Sequence, residues 1–334
     1  MVKARFAVGA MTMVMLGSFA RGQDFEVWLV DQSNSPGVMF GGKVHVFEGS
    51  DLLGRNASDA DPLDVIELSG NTAALCMAMT GANPVRPHML LFDSTHSRAI
   101  LSFVASGHVV VFDAASRTPI TCIRTSVGAG GARQAHASFP APDDSFILVA
   151  NQNGKLLERI MTDADGDGIP FEDAGDIVLD AAATLDLANC TTPNGMPCQM
   201  AGVRPDNAPI CPIIDSSSTL GFITLRGGGL FVVDTQATPM AIVAEYDAAA
   251  VHGNGCGGVQ VGEAMFLNSG GGTATNLSEF DVYRFPISGY DAFNPPNTPA
   301  PHGIDARLGR HQTHPGRSQR CIQNRRPDQQ LSRK

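Results

Sequence analysis

From Phe25 onward, short apolar runs of alternating residues recur, each set off by a polar or Gly-bearing turn. "FEVWLVD" at Phe25 is followed by "GGKVHVFEGSDLL" from Gly41, and "AILSFVA" at Ala99 by "SGHVVVFDAASRTPI" from Ser106. "FILVAN" at Phe146 is followed by "QNGKLLERIMTD", "GFITL" at Gly221 by "RGGGLFVVDTQATPM", and "AMFLNS" at Ala264 by "LSEFDVYRFPISG". Period-two alternation bounded by Gly-rich turns predicts strands, and two such strands across a tight turn predict a hairpin. The hairpin therefore occurs five times.

Successive hairpins lie roughly 45 to 75 residues apart, and the lower end of that range suits one four-stranded propeller blade. A unit of this size cannot bury both of its faces alone, whereas stacking around a ring buries them. The pattern predicts an all-β chain, a β-propeller of four-stranded blades. The rival architecture is a β-sandwich or an irregular all-β fold.

Composition supports strands and turns. The 334 residues include 36 Gly and 21 Pro, with 17% charged residues and a net charge of −10. The acidic balance argues against nucleic acid as a partner. The N-terminus carries Lys3 and Arg5, an apolar stretch from Phe6 to Leu16, and the small-x-small site Ser18-Phe19-Ala20. That is the layout of a signal peptide over residues 1–20, and no later stretch has the length of a membrane span. The expected domains are therefore the signal peptide, a propeller over 21–300 and an irregular tail over 301–334. The tail is Arg- and Gln-rich and lacks apolar periodicity, so it builds no blade. A secreted or periplasmic location lets the cysteines pair. Cys190 and Cys198 bracket a loop short enough for a bridge. Pairing among Cys76, Cys122, Cys211 and Cys256 stays open, and Cys321 falls in the tail.

"SFILVANQNGKLLERI" and "GHVVVFDAASRTPI" resemble the repeat of the YVTN and amine-dehydrogenase-like seven-bladed propellers. The resemblance runs from about Phe25 to Gly289 and implies a propeller that is seven-bladed, or truncated from seven. That group holds lactonases, quinoprotein subunits, methanethiol-oxidase-like proteins and non-catalytic surface propellers, so it is specific for fold and weak for function.

Two constellations carry candidate chemistry. His88 in "VRPHMLLFD", His136 in "ARQAHASFP" and His252 in "AVHGNGCGG" precede successive blade strands at similar offsets. Residues entering the inner strands of a ring converge on its axis, and three imidazoles suit copper, zinc or iron. The matching place in a fourth repeat, "DNAPICPII", has no His, and Asp206 or Cys211 is the candidate there. His45, His96 and His108 read as blade-surface or turn residues, and "AALCMAM" around Cys76 reads as buried core.

"DADGDGIPFEDAGD" places Asp163, Asp165 and Asp167 at alternate positions, with Gly168 for the bend and the Ile169 carbonyl as the next donor. These are the opening features of an oxygen-ligand calcium loop. The twelfth position is Ala174 rather than Glu, leaving Glu172, Asp173 or Asp176 to close the shell; Asp173 is the expected donor.

Three functions compete. One is an exported metal-dependent oxidoreductase working at the axial histidines. A second is a lactonase-like hydrolase using the same channel. The third is a non-catalytic scaffold that contacts a protein partner. The first two imply a small-molecule ligand in the central channel.

Overall fold

The computed structural model describes residues 25–53, 57–253, 255–268 and 282–290. The signal segment expected at 1–20 and the tail expected at 301–334, with Cys321, lie outside the described residues.

Five antiparallel sheets follow one another along the chain. The first holds β1 (Glu26–Asp31), β2 (Lys43–Glu48) and β3 (Asp64–Glu67), with the one-turn helix α1 (Gly49–Leu52) after β2. The second holds β4 (Pro87–Phe92), β5 (Arg98–Phe103), β6 (His108–Asp113) and β7 (Thr118–Arg124), and is preceded by the helix α2 (Ala73–Thr80). The third holds β8 (Ala135–Pro140), β9 (Phe146–Asn151), β10 (Leu156–Met161) and β11 (Val178–Asp186). The fourth holds β12 (Pro209–Ile214), β13 (Leu220–Leu225), β14 (Leu230–Asp234) and β15 (Ala241–Tyr246). The fifth holds β16 (Gly258–Val261), β17 (Ala264–Asn268) and β18 (Val282–Pro286). Strands are laid down in simple up-and-down order within every sheet, and the fold is a β-propeller with five blades among the described residues.

All ten predicted hairpin strands are present. In the three middle blades they do not alternate buried with exposed, as a half-buried strand would, whereas β2 and β18 of the end blades do alternate. All six residues of β9 are buried, because each middle strand is covered on both faces by neighbouring blades. Val44 of the first blade packs with Leu101, Val110 and Phe112 of the second. Ile100, Val109 and Val111 then pack with Ile147, Val149 and Ile160, and Leu148 and Leu157 with Ile223, Phe231 and Val233. Phe222, Val232 and Val243 pack with Met265, Leu267 and Phe285. Each such side chain contributes about 1.5–3 kcal/mol when fully removed from water. Each core cluster is shared between adjacent blades.

The residues that carry the family resemblance have identifiable work. Asn151, in "VANQNGK", accepts from the Gln134 amide at 2.8 Å. Its own amide donates to the Ser126 carbonyl at 2.9 Å and to Glu158 at 2.8 Å. One buried side chain thus ties β9 to β10 and to the connection from the previous blade. The β5–β6 turn needs Gly107, whose φ is +72° and whose added Cβ would stand 2.6 Å from the Thr125 hydroxyl.

Helix α2 departs from the expected all-strand order. It packs against β7, the outermost strand of the second blade, and a Cys76–Cys122 disulfide fastens it there. The Cys122 N–H donates to the Met79 sulfur at 3.3 Å. Within "AALCMAM" Cys76 is buried, but Met77 and Met79 are 45% and 48% exposed, so the segment is only partly core. The blade-surface or turn assignment of His108 is also corrected: its ring is fully buried on β6.

Candidate functional site at the blade entries

Strands β4, β8 and β12 are the first strands of consecutive blades and lie side by side, with β1 flanking β4. They line the inner wall of the ring. Each is bulged at its start, between Pro87 and Leu90, between Ala135 and Ala137, and between Pro209 and Pro212. Proline has no N–H to give a ladder, which favours a break in pairing at Pro87 and Pro209. A bulge re-aims the side chains it carries. The residues in these three bulges include His88, Met89, His136, Ile210 and Cys211.

The structure brings His88 and His136 together, with ring centroids 4.7 Å apart. His136 Nδ1 lies 2.9 Å from the Ile210 carbonyl oxygen and donates to it. The Nε2 lone pair is thereby left for another partner, the tautomer that a metal-binding histidine needs. Burial, with the neighbouring His88, pushes the His136 pKa down to about 4. Burial and Arg86 lower that of His88 as well, so both rings are neutral at pH 7. His88 Nδ1 lies 2.9 Å from the amide nitrogen of the exposed Gln32, just after β1. Turning that amide over would offer an oxygen instead, moving the ring proton to Nδ1 and freeing Nε2.

His252 does not join them. Its backbone N–H donates to the Tyr283 hydroxyl at 3.0 Å, and its ring meets the Tyr283 ring edge-on. Among the described residues the three histidines form no common group. The similar offset misleads because the segment before β16 sets His252 against Tyr283 of β18. Asp206 is engaged elsewhere. Its carboxylate binds Arg226 Nε at 2.6 Å and lies 3.5 Å from Lys155. Although burial opposes ionisation, Arg226 holds the carboxyl below its ordinary range.

Cys211 does lie beside one of the histidines. It is disulfide-bonded to Cys256, joining β12 to the segment before β16. The His136 ring nitrogen and both sulfurs lie within 4.8 Å of one another. Met89, from β4, places its sulfur 3.7 Å from that of Cys256 and 4.0 Å from that of Cys211. Thr224 keeps the strands in place, accepting from the Cys211 N–H at 3.1 Å and donating to the Gly255 carbonyl at 2.6 Å. Sequence reasoning missed Met89 and Cys256. The first was hidden because β4 was not recognised as a strand, the second because its pairing is tertiary.

The second constellation lies on the loop between β10 and β11. Carboxylate oxygens of Asp163, Asp165 and Asp167 lie within 4.8 Å of one another. Asp163 accepts from the Gly166 and Gly168 N–H groups at 3.0 and 2.9 Å, and Asp167 from that of Ile169 at 2.9 Å. Asp176 is buried and accepts from the Asp173 N–H at 3.0 Å. The Asp167 charge raises the pKa of exposed Glu172. Asp173, the expected fifth donor, directs one carboxylate oxygen at the Gly175 N–H.

The other two disulfides are Cys76–Cys122 and the expected Cys190–Cys198. Three bridges in one chain fit an oxidising compartment. No helix among the described residues is long and apolar enough to cross a membrane.

No family model matches the chain, and no curated protein matches it. Similar solved structures include a 6-phosphogluconolactonase-like protein from Bacteroides uniformis, with 14% identity over 84% of this chain and 68% of that one, TM-score 0.49. A second, from Bacteroides fragilis, has 11% identity over 79% of this chain and 64% of its own, TM-score 0.47. The periplasmic gluconolactonase of Pseudomonas aeruginosa has 11% identity over 81% and 73%, TM-score 0.47. The chain spans about two thirds of the length of the first two. Likenesses this distant say nothing of activity, and the propeller assignment rests on the strand order and blade packing described above.

Proposed function

We propose that the end of the ring where β4, β8 and β12 begin is the functional site, that it binds a transition metal through His88 and His136, and that the protein is an exported oxidoreductase of the propeller class. The carrying observation is the pair of neutral imidazoles 4.7 Å apart on adjacent blades, one of them fixed by the Ile210 carbonyl in the tautomer that leaves Nε2 free. Nitrogen donors of this kind suit copper, zinc or iron. A bound ion would supply Lewis acidity or a redox centre. The chain's own part is to hold the two rings unprotonated and aligned, beside the exposed Gln32. Membership of the YVTN group and a secreted or periplasmic location belong to the same reading.

Elemental analysis of the purified protein, with a His88→Ala/His136→Ala variant beside it, tests the proposal. Near-stoichiometric copper, zinc or iron that is lost in the folded variant supports it. A lactone-hydrolysis assay of the metal-loaded protein then separates the hydrolase alternative from oxidoreduction. Absence of any such metal, with both proteins alike, would leave a non-catalytic binding propeller.

A second, independent site is supported by the three clustered carboxylates of Asp163, Asp165 and Asp167. We assign calcium to it, in a structural role, with the Ile169 carbonyl and Asp173 as further donors. Uncompensated charges so close together repel, and a divalent cation relieves that repulsion.

A further inference from the structure

The disulfide at the ring's inner wall has a setting that its fold-stapling role leaves unexplained. Among the described residues it is the only one of three bridges with a histidine nitrogen within 4.8 Å of both sulfurs. A thioether also faces it from across the ring, since Met89 belongs to the second blade while Cys211 and Cys256 join the fourth to the fifth. Four potential donor atoms thus gather at the bridge: a nitrogen and a thioether sulfur, each near both of the two sulfurs now bonded to each other. A disulfide sulfur is a weak ligand, whereas a thiolate is a strong, soft one.

We infer that Cys211–Cys256 is a redox-opened site for a cuprous ion, whose ligands after reduction are the two thiolates, His136 and Met89. Soft sulfur donors with one imidazole select Cu(I) over harder cations. The inference deepens the axial reading above, with which it shares His136. It adds that oxidation state, and not only the presence of metal, decides what the site holds.

The chemistry balances with a thiol reductant. A thiol attacks the Cys256 sulfur, which is partly open to solvent, and Cys211 leaves. A second thiol resolves the mixed disulfide, so that two electrons and two protons enter while the reductant departs as its own disulfide. On binding, both thiols release protons to water as thiolates. The copper stays Cu(I) throughout, and His136 keeps its Nδ1 proton on the Ile210 carbonyl.

The test is an anaerobic Cu(I) titration of the full chain against a chromophoric cuprous chelator, before and after dithiothreitol treatment and removal of the reductant. The reduced protein should take at least one equivalent more than the oxidised protein. A Cys211→Ser/Cys256→Ser variant, reduced in the same way, should take one equivalent less than reduced wild type, which discounts thiols from the other bridges. Met89→Leu conserves volume and keeps both cysteines; it should weaken the site at least tenfold, and His136→Gln more. Equal uptake by reduced wild type and the double serine variant, with unchanged circular dichroism, overturns the inference. So does a Met89→Leu and His136→Gln pair with affinities within twofold of wild type. Zinc binding to the oxidised protein, lost in His88→Ala/His136→Ala, reports separately on the axial reading, so either idea fails without masking the other.

Discussion

His108 Nε2 on β6 lies 2.9 Å from the Thr80 hydroxyl at the end of α2, while its Nδ1 lies 2.9 Å from the Ser106 hydroxyl. One fully buried imidazole therefore links a helix, a strand and a turn. It does so as a neutral ring, because burial, with Arg124 and Arg133 nearby, pushes its pKa down to about 4.

That depressed value sets a pH dependence. Below an unfolded pKa of about 6.5 the unfolded chain binds a proton that folded His108 refuses, so stability falls as pH falls. The contribution is fully present above about pH 6.5 and is lost progressively as pH drops toward 4. Urea denaturation across that window should show the loss. His108→Gln should flatten the slope while costing about 1–3 kcal/mol at pH 7 through lost buried hydrogen bonds. An unchanged slope in the variant would assign the acid sensitivity to other groups.

A buried ion pair anchors the fourth blade. Arg204 binds Glu245 of β15 at 2.7 Å, with side chains only 2% and 7% exposed, and its guanidinium lies 5.2 Å from the Phe231 ring centroid. Removing one partner strands the other charge away from water. Arg204→Ala should cost about 3–5 kcal/mol in chemical denaturation, and Arg204→Met combined with Glu245→Leu distinctly less. A double variant as unstable as the single one would show that shape, not charge, fixes this contact.

Calcium should raise the melting temperature by roughly 5–10 °C at a hundredfold excess over its dissociation constant. Asp163→Asn with Asp165→Asn should abolish that response without lowering stability in chelator, since the carboxylates repel one another when no cation is bound. Thermal scans with added calcium and with chelator read both outcomes.

The hairpins were legible because β5, β6, β9, β10, β13 and β14 carry short apolar runs on either side of a turn, β-branched in β6 and β14, and packing between blades only reinforces that signal. The inner strands were not. β4 begins Pro-His and β12 reads "PICPII", so prolines that mark bulges in the wall look like strand breakers in the sequence. His88 and His136 were found through their shared offset, and Cys211 through the same alignment. His252 shares the offset but not the location, because spacing along a chain does not record which way a loop turns. The Cys76–Cys122 pairing, across 46 positions, follows from α2 folding back on a strand that comes later.

That helix has a consequence for how the molecule meets copies of itself. β7 is the outer rim of its blade, and an unpaired rim strand presents free N–H and carbonyl groups on which a foreign strand can build. The Cys122 N–H is already taken by the Met79 sulfur, and the bridge beside it fastens the cover covalently. The edge at Cys122 is covered while Cys76–Cys122 is intact, and loss of that bond would uncover it to strand addition from another copy.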